Sequence, residues 1–501
     1  VGCKSPLTGG IKESNAGGSF GLALGQLSLA GFTLTGSSKE WTVIYIKKDN
    51  QIEWHSADDL MGKGNFEAAK ILHETFGEKV SLAICGPVGE YGGLLAGIAM
   101  SDTDKRPTRL SARGGVGAVM GSKKVKAIVV DLDRMPEFSD RKGLLKGIKD
   151  YGKLLQADEA ITALKDYGTA MMADYTNYVG GLPVNNFSSG QQKSDAEDNF
   201  KMGGQFIRNQ NLERGGETSH ACMPGCRIEC SNVYADEDGN EIASPVEYET
   251  LGLMGTNCGI SDPDELARLN WFANDLGIDT IEAGAMMGVL LEAGLAEFGD
   301  VKFLTKVLQE IREGTENGKL WAQGTGIVGK HYKIDRVPVI KNQGISAYDP
   351  RVIEVTGISM MLTAQGADHT TGNVAKYESI DKDVDELVST SLETQVVCAT
   401  ADSLGLCVFG RSVTNDNVEM IIDLINKATG SELESNFFFK LGQETLRLEA
   451  QFNKEAGFQV EDDDLPQFFY DEPLAPSEQV ARFKAQEVND AASKWWKSQG
   501  Y

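Results

Sequence analysis

The chain has 501 residues, with 48 Lys or Arg against 73 Asp or Glu, so its formal net charge is −25. This charge argues against a nucleic-acid-binding protein, which needs a basic surface, and against attraction to anionic membranes. No apolar run reaches the ~18 residues that a membrane-spanning helix needs. A hydrophobic content of 41% indicates a folded chain, and 57 glycines indicate many tight turns or close backbone approaches.

The N-terminal part of the sequence predicts strands. Trp41–Lys47 and Lys126–Val130 are rich in β-branched or aromatic residues, and Asn65–Phe76 between them has apolar residues at helical spacing. Further along, residues 261–276 begin with an N-cap and an acidic first turn, and residues 279–295 predict a second helix. We therefore predict a β-rich unit over residues 1–135, a helical unit over 136–340 and a second helical unit over 341–501.

Three of the eight cysteines lie within nine residues of one another: Cys222, Cys226 and Cys230. Steps of four residues, with Pro-Gly between the first two cysteines, predict a curled loop whose sulfurs converge. Thiolates favour iron–sulfur clusters or zinc. A tetrahedral site needs a fourth ligand, for which His220 is a nearby candidate that zinc accepts and Cys407 a distant one. From the spacing alone, an iron–sulfur cluster, zinc and three buried free thiols remain alternatives.

Two glycine loops, Asn15–Gly21 and Arg113–Lys123, can bring bare backbone close to a ligand. The second loosely mimics a dinucleotide fingerprint, which requires a strand immediately before the glycines. Residues 102–110 are polar and contain a proline, so we expect no strand there and discount a nicotinamide cofactor. Backbone N–H groups beside an arginine suit a phosphate. A purely structural turn is the alternative for each loop.

Two hexamers of similar pattern, Asn274–Asp279 (NDLGID) and Asp402–Cys407 (DSLGLC), are each predicted at a helix break. The backbone exposed at such a break can bind a polar cofactor, and an ordinary glycine C-cap is the alternative. Candidates for acid–base chemistry are Glu247 and Glu249, in an otherwise apolar stretch, and His369, in a polar glycine-rich loop. A structural role is the alternative for each of them.

Together these motifs resemble the tungsten-containing aldehyde:ferredoxin oxidoreductase family over nearly the whole chain. As a set they are highly specific, and they occur in the family's order: Ser5–Gly9, Asn15–Gly18, Arg113–Lys123, Leu182–Phe187, Glu247–Glu249, Leu276–Asp279, Ala347–Arg351 and Asp402–Cys407. The resemblance implies an α+β fold, with an N-terminal β-rich domain that forms a base for a bis-pterin metal cofactor, followed by two mainly helical domains. The family's first segment is expected to be missing from this chain.

The cofactors that the resemblance implies are a tungsten (or molybdenum) bis-pterin and a [4Fe-4S] cluster, with Mg²⁺ as a bridge between the pterin phosphates. The implied pterin contacts are Asn15, Gly17, Arg113, Gly114, Gly115 and Gly117, with Asn274 and Asp279 on one pterin and Asp402 and Leu406 on the other. The implied cluster ligands are Cys222, Cys226, Cys230 and Cys407. Ser219 stands where the family has its first cysteine, so Cys230 is expected to replace that ligand.

The implied activity is oxidation of a small aldehyde to a carboxylic acid. Glu249 and His369 match the family's acid–base pair, with Glu249 as the base that activates water and His369 as a hydrogen-bond donor to the aldehyde oxygen. Electrons would pass to ferredoxin or to a dedicated Fe–S subunit. The resemblance implies an anaerobic, cytoplasmic protein and allows an oligomer. The alternatives are a related tungsten enzyme, such as the catalytic subunit of a class II benzoyl-CoA reductase, and a zinc-stabilised subunit without a substrate site.

Overall fold

The computed structural model describes residues 1–192 and 200–501. Its strands, β1–β13 in chain order, are Gly2–Lys4, Ile11–Glu13, Thr42–Ile46, Ile52–Ser56, Val80–Cys85, Ile98–Met100, Arg109–Ser111, Val125–Asp131, Glu217–His220, Ser231–Ala235, Glu241–Ala243, Val339–Ile340 and Gln343–Gly344.

The α-helices of the described residues, α1–α21 in chain order, are Phe20–Gln26, Asn65–Phe76, Pro87–Glu90, Val116–Ser122, Arg141–Ala157, Glu159–Tyr167, Met171–Val179, Gly204–Glu213, Tyr248–Thr250, Pro263–Leu276, Thr280–Glu292, Val301–Glu313, Glu316–Trp321, Thr325–Tyr332, Glu354–Leu362, Val384–Ser403, Arg411–Asp416, Val418–Thr429, Asn436–Ala456, Phe468–Asp471 and Ala485–Ser498. The predicted α+β class, with a β-rich N-terminal part followed by helices, is confirmed.

The N-terminal part is built on a six-stranded sheet with the order β4-β3-β8-β5-β6-β7. Only the β3–β8 pair is parallel. Because side chains alternate between the two faces of a strand, Val43 packs with α2 on one face, whereas Ile44 and Ile46 pack with α1 and α4 on the other. The strands β3, β5 and β8 are therefore buried on both faces, which explains their continuous apolar runs.

The expectation that no strand precedes the second glycine loop is wrong. Strand β7 (Arg109–Ser111) pairs antiparallel with β6 and leads directly into the loop. Its polar residues show no strand pattern in the sequence, because they are buried by segments that are distant in the chain. Three antiparallel pairings separate β7 from β8, so the two strands run in opposite directions and do not form the parallel unit of a dinucleotide-binding fold.

The two predicted helices of the middle segment are present as α10 and α11. Asp262 caps α10 by accepting a hydrogen bond from Asp264 N at 2.8 Å, and Asp279 caps α11 by accepting one from Ile281 N at 3.0 Å. One of the main helical cores includes residues from both sides of residue 340, such as Ala173 and Val488. The predicted boundaries at 135 and 340 stay predictions. Within residues 1–192 and 200–501, no helix is both long enough and apolar enough to cross a membrane.

Candidate functional site

The three clustered cysteines lie on the connection between β9 and β10. Ser231 pairs with His220 in the antiparallel ladder, so the intervening loop is closed at its base. Burial and the Glu247 carboxylate raise the pKa of Cys230 well above its ordinary value, and the Cys407, Cys222 and Cys226 thiols add to this effect. The structure therefore brings all four predicted thiols into one region, although Cys407 comes from the segment after α16.

The spacing of these sulfurs is wider than a single zinc ion requires. A tetrahedral zinc site with Zn–S bonds of about 2.3 Å places its sulfurs roughly 3.8 Å apart. Among the residues that the structure describes, no three of the four sulfurs lie within 4.8 Å of one another. A multi-iron cluster holds its cysteines further apart than one ion does, and the assignment of the four sulfurs to such a cluster stays a prediction.

A backbone N–H group already points at one of the thiols. Glu229 N lies 3.3 Å from Cys226 Sγ. Hydrogen bonds of this kind to a ligand sulfur tune the metal group that it binds.

His220, the candidate zinc ligand, faces carboxylates. Its Nδ1 lies 2.9 Å from Glu217, and its Nε2 lies 3.7 Å from Asp102 and 3.6 Å from Asp104. Arg106 Nη1 lies on the same two aspartates, at 3.2 and 2.7 Å. This group is therefore an ion-pair network that Arg106 neutralises in part, and the geometry gives no support to His220 as a fourth thiolate-site ligand.

The predicted acid–base pair comes together in the structure. His369 Nε2 lies 3.2 Å from Glu249 Oε1, and the two side chains are 14% and 15% exposed, so both are largely shielded from water. Glu249 is the middle residue of α9, which continues as a π-helical turn over Leu251–Gly255, a feature common at functional sites. His369 begins a short 3₁₀ helix, His369–Thr371.

The hydrogen bonds of the pair leave one carboxylate oxygen free. Glu249 Oε2 accepts a bond from Ala347 N at 2.9 Å, whereas its Oε1 is buried and has no hydrogen-bond partner among the described residues. Ser346 Oγ lies 2.9 Å from His369 Nδ1, which leaves Nε2 directed to the site. Burial raises the pKa of Glu249, and the His369 charge opposes that rise. A carboxylate with a raised pKa and a free oxygen is equipped to take a proton.

A buried lysine that the sequence analysis did not single out supports the histidine. Lys12, on β2, is 1% exposed and forms an ion pair with Asp368. Asp368 also caps the His369 turn by accepting a hydrogen bond from Thr370 N at 3.0 Å. Although burial favours the protonated acid, Lys12, Arg113 and the adjacent histidine hold the pKa of Asp368 well below its usual range. The N-terminal strand thereby fixes the backbone that carries His369.

Arg113, a predicted pterin contact, is buried and almost fully bonded by protein. Its Nε donates to Asp279 at 3.3 Å, its Nη1 to Ser346 Oγ and Ala367 O, and its Nη2 to Gly344 O. Four of its five N–H groups therefore have protein partners. The guanidinium joins the glycine loop to the cap of α11 and to the segment that carries Ser346.

The glycines of the same loop lie against protein. A Cβ placed on Gly114 would meet Lys12 at 2.5 Å, one on Gly115 would meet Pro6 at 2.9 Å, and one on Gly117 would meet a backbone oxygen of Gly97 at 2.2 Å. Close packing therefore explains these three glycines, and their contact with a pterin stays a prediction.

The first glycine loop lies directly on the cysteine loop. A Cβ on Gly17 would come within 2.9 Å of Cys222 Sγ, so only glycine allows this approach. Asn15 is exposed, and its Nδ2 donates to Glu13 at 2.8 Å. The structure thus places Gly17, but not the Asn15 side chain, against a predicted ligand.

The two hexamers form the same turn. Gly277 and Gly405 both have left-handed φ values, 70° and 67°. In each turn the next residue closes back on the preceding helix, with Ile278 N bonded to Ala273 O at 3.1 Å and Leu406 N bonded to Ala401 O at 2.8 Å. Both hexamers are therefore glycine C-caps in Schellman-like turns, as the structural alternative supposed.

Polar groups remain unused around these caps. Asn274 Nδ2 is buried and has no partner in the described part of the chain. Asp402 lies in a group of acids in which burial, Glu13 and Asp368 raise its pKa to about 7. The orphaned buried donor of Asn274 fits a polar ligand at the first turn, because buried polar groups are otherwise paired.

Two family models and several known proteins match this chain. The family description "Aldehyde ferredoxin oxidoreductase, N-terminal domain" matches residues 1–132, and "Aldehyde ferredoxin oxidoreductase, domains 2 & 3" matches residues 146–501. The chain is 30% identical to a tungsten-containing aldehyde ferredoxin oxidoreductase of Pyrococcus horikoshii, over 94% of this chain and 79% of that protein. It is 26% identical to the WOR-like subunit of an aliphatic sulfonate oxidoreductase of Pyrococcus furiosus, over 94% and 77%.

Among solved structures, the active-site complex BamBC of benzoyl coenzyme A reductase, in complex with 1,5-dienoyl-CoA, matches with a TM-score of 0.80. The match covers 100% of this chain and 83% of that one, at 18% identity, and so shows a shared fold. The family matches span most of the sequence, and the relatives named tungsten-containing enzymes align along nearly all of it. The chain therefore belongs to the aldehyde ferredoxin oxidoreductase family.

Proposed function

We propose that this protein oxidises small aldehydes to carboxylic acids at a tungsten bis-pterin centre and transfers the electrons through a [4Fe-4S] cluster to ferredoxin or an Fe–S subunit. The overall change converts an aldehyde and water into a carboxylic acid, two protons and two electrons. The observation that carries the proposal is the contact between His369 Nε2 and Glu249 Oε1 at 3.2 Å. It supplies a proton acceptor and a hydrogen-bond donor side by side.

Each member of the pair has a separate task. Glu249 accepts the proton of the attacking water at Oε1, since Oε2 is held by Ala347 N. His369 donates from Nε2 to the aldehyde oxygen and stabilises the negative charge that develops there. Ser346 holds the opposite ring nitrogen, which keeps the imidazole oriented toward the substrate.

The polar groups around the two C-cap turns fit the cofactor that the family implies. Asn274 and Asp279 would hold one pterin and Asp402 and Leu406 the other, with Mg²⁺ available to bridge the phosphates. The buried unpartnered Nδ2 of Asn274 supports this assignment. When bound, tungsten supplies the two-electron acceptor that no protein side chain provides.

The four cysteines would hold the iron–sulfur cluster. The close approach of Gly17 to Cys222 Sγ supports a cluster packed against the first glycine loop. Cys407 belongs to the second hexamer, so the same turn would serve a pterin and the cluster. Glu247 and Glu249 are two residues apart and lie on opposite sides of this arrangement, one bonded to Ser231 beside Cys230 and the other beside His369. A cytoplasmic, anaerobic location stays a prediction.

The experiment that tests the activity is anaerobic turnover with acetaldehyde or benzaldehyde and a viologen acceptor. We expect aldehyde-dependent viologen reduction and the matching carboxylic acid as product. The alternative reaction, reduction of an aromatic CoA thioester as in the structural neighbour, is assayed with benzoyl-CoA and reduced viologen. Dienoyl-CoA formation without aldehyde oxidation would replace the proposal, and absence of both activities from metal-loaded protein would overturn it.

A further inference from the structure

Arg109 is a buried cation that no part of the proposed reaction uses. It lies on β7, is 7% exposed, and donates from Nη1 to Ser231 Oγ at 2.9 Å. Its Nε and Nη2 are buried and have no hydrogen-bond partner within the described residues. In that part of the chain, no carboxylate oxygen lies within 4.0 Å of its guanidinium, unlike the neighbouring Arg106.

Burying the Arg109 guanidinium in this way is unfavourable to the free energy of folding. The buried Glu247 carboxylate is linked to Arg109 through Ser231 Oγ, which donates to Glu247 Oε1 at 3.3 Å. A buried guanidinium without a direct anionic partner is poorly compensated, and its unmade hydrogen bonds add to that cost. The site is therefore expected to receive an anion, or an acceptor with negative charge, in the working protein. Since the guanidinium still has N–H groups on Nε and Nη2, the acceptor must lie on that side of the side chain.

Arg109 lies beside the cysteine loop. Its bonding partner, Ser231, directly follows Cys230, so one end of the guanidinium is fixed next to a predicted ligand. On the other side, a Cβ on Gly18 would lie 3.7 Å from Arg109 Cβ, and the adjacent Gly17 lies against Cys222. The side chain of Arg109 thus begins beside the first glycine loop, and its guanidinium ends on Ser231, next to the cysteine loop. Its charge also lowers the pKa of Cys222, although burial raises that pKa more strongly.

We propose that Arg109 donates its free N–H groups to the sulfur of the cluster and raises the cluster's reduction potential. The inference rests on the proposed function, because it requires the cluster to be present. Reduction adds one negative charge to the cluster, and a buried cation with N–H···S bonds stabilises the reduced state more than the oxidised state. Arg109 is thus a positioning and tuning residue for electron transfer, without contact with the aldehyde.

The test is a redox titration of the cluster in the purified, metal-loaded protein, in which electron paramagnetic resonance measures the reduced fraction. In Arg109→Gln, which removes the charge, we expect the equilibrium constant for cluster reduction to fall at least about tenfold, which lowers the midpoint potential by about 59 mV for one electron. Arg109→Lys keeps the charge and loses the planar fork, so it should lie between Arg109→Gln and the parent protein.

Arg106→Gln is the matched control, because Arg106 is three residues away and its guanidinium is bonded to Asp102, Asp104 and Glu241. We expect it to leave the midpoint potential unchanged. Iron and tungsten are measured in every variant.

The outcomes separate the two proposals. Absence of a cluster from the parent protein overturns the proposed function, whereas a cluster whose potential is the same in Arg109→Gln overturns this inference alone. Loss of tungsten with an unchanged cluster potential would assign Arg109 to a pterin phosphate and also overturns it. Loss of iron from both Arg109 variants, with iron retained in Arg106→Gln, would make Arg109 a structural residue and overturns its redox role.

Discussion

Ser346 and Ala347 are neighbours in the chain, and each holds one member of the acid–base pair. Ser346 Oγ lies 2.9 Å from His369 Nδ1, and Ala347 N donates to Glu249 Oε2 at 2.9 Å. Arg113 donates to the same serine at 3.1 Å, so the β-rich part of the chain reaches the pair through one hydroxyl group. The spacing of Glu249 and His369 is therefore set by a single dipeptide.

Replacing the base tests the proposed mechanism. We expect Glu249→Gln to keep the metal content of the parent protein and to lower turnover of acetaldehyde or benzaldehyde by about 10²-fold, the scale of lost general-base catalysis. Glu265→Gln is the control, because Glu265 is exposed on the first turn of α10. Turnover of Glu249→Gln close to that of the parent would remove Glu249 from the mechanism.

The buried Lys12–Asp368 pair should matter for stability. Lys12→Met leaves the Asp368 carboxylate buried without its cation, which costs about 3–5 kcal/mol, so the thermal unfolding midpoint should fall by a few degrees. The double variant Lys12→Met, Asp368→Asn removes both charges and should recover part of the loss. If the double variant is less stable than the single variant, the loss does not come from an unpaired charge.

Cys230 should be required for the cluster, because Ser219 stands at the family's first cysteine position. We expect Cys230→Ser to lose most of its iron, whereas Cys258→Ala, at a buried thiol packed among the helices, should retain it. His220→Ala should also retain iron, because the His220 ring lies among carboxylates. Full iron content in Cys230→Ser would show that another group completes the site.

The stability of the cofactor-free protein should fall as pH rises. Burial and neighbouring carboxylates raise the pKa of Asp402 and of Glu449 to about 7. The unfolded forms titrate near pH 4, so the folded state binds more protons between about pH 4 and 7 and loses stability over that range.

The measurement is the thermal unfolding midpoint of the apo-protein from pH 5 to 8. Asp402→Asn should flatten the decrease, and Glu455→Gln, at an exposed position of α19, should not. A midpoint that rises with pH, or an unchanged slope in Asp402→Asn, would contradict this account.

Local patterns predicted the elements that local forces determine. The helix Asn65–Phe76 has the predicted limits, because its apolar spacing and the glycine after it act within a few residues. The glycine turns at 277 and 405 were likewise predictable, because a glycine just after a helical pattern commonly adopts the left-handed conformation that ends the helix.

Structural features that depend on residues far apart in the sequence could not be predicted from the sequence. Strand β7 was missed because its arginine and serine are buried by segments far away in the chain. The role of Lys12 could not be predicted either, because its partner, Asp368, lies 356 residues further along the chain. The orphaned N–H groups of Arg109 and Asn274 can be recognised only once the surrounding atoms are known.

The central claim is tested most directly by elemental analysis of anaerobically purified protein for tungsten, molybdenum, iron and zinc. The account predicts about one tungsten or molybdenum and about four iron atoms per chain. About one zinc per chain, with neither tungsten nor molybdenum, would contradict it, because the cysteine loop would then be a structural zinc site and the proposed redox chemistry would have no centre.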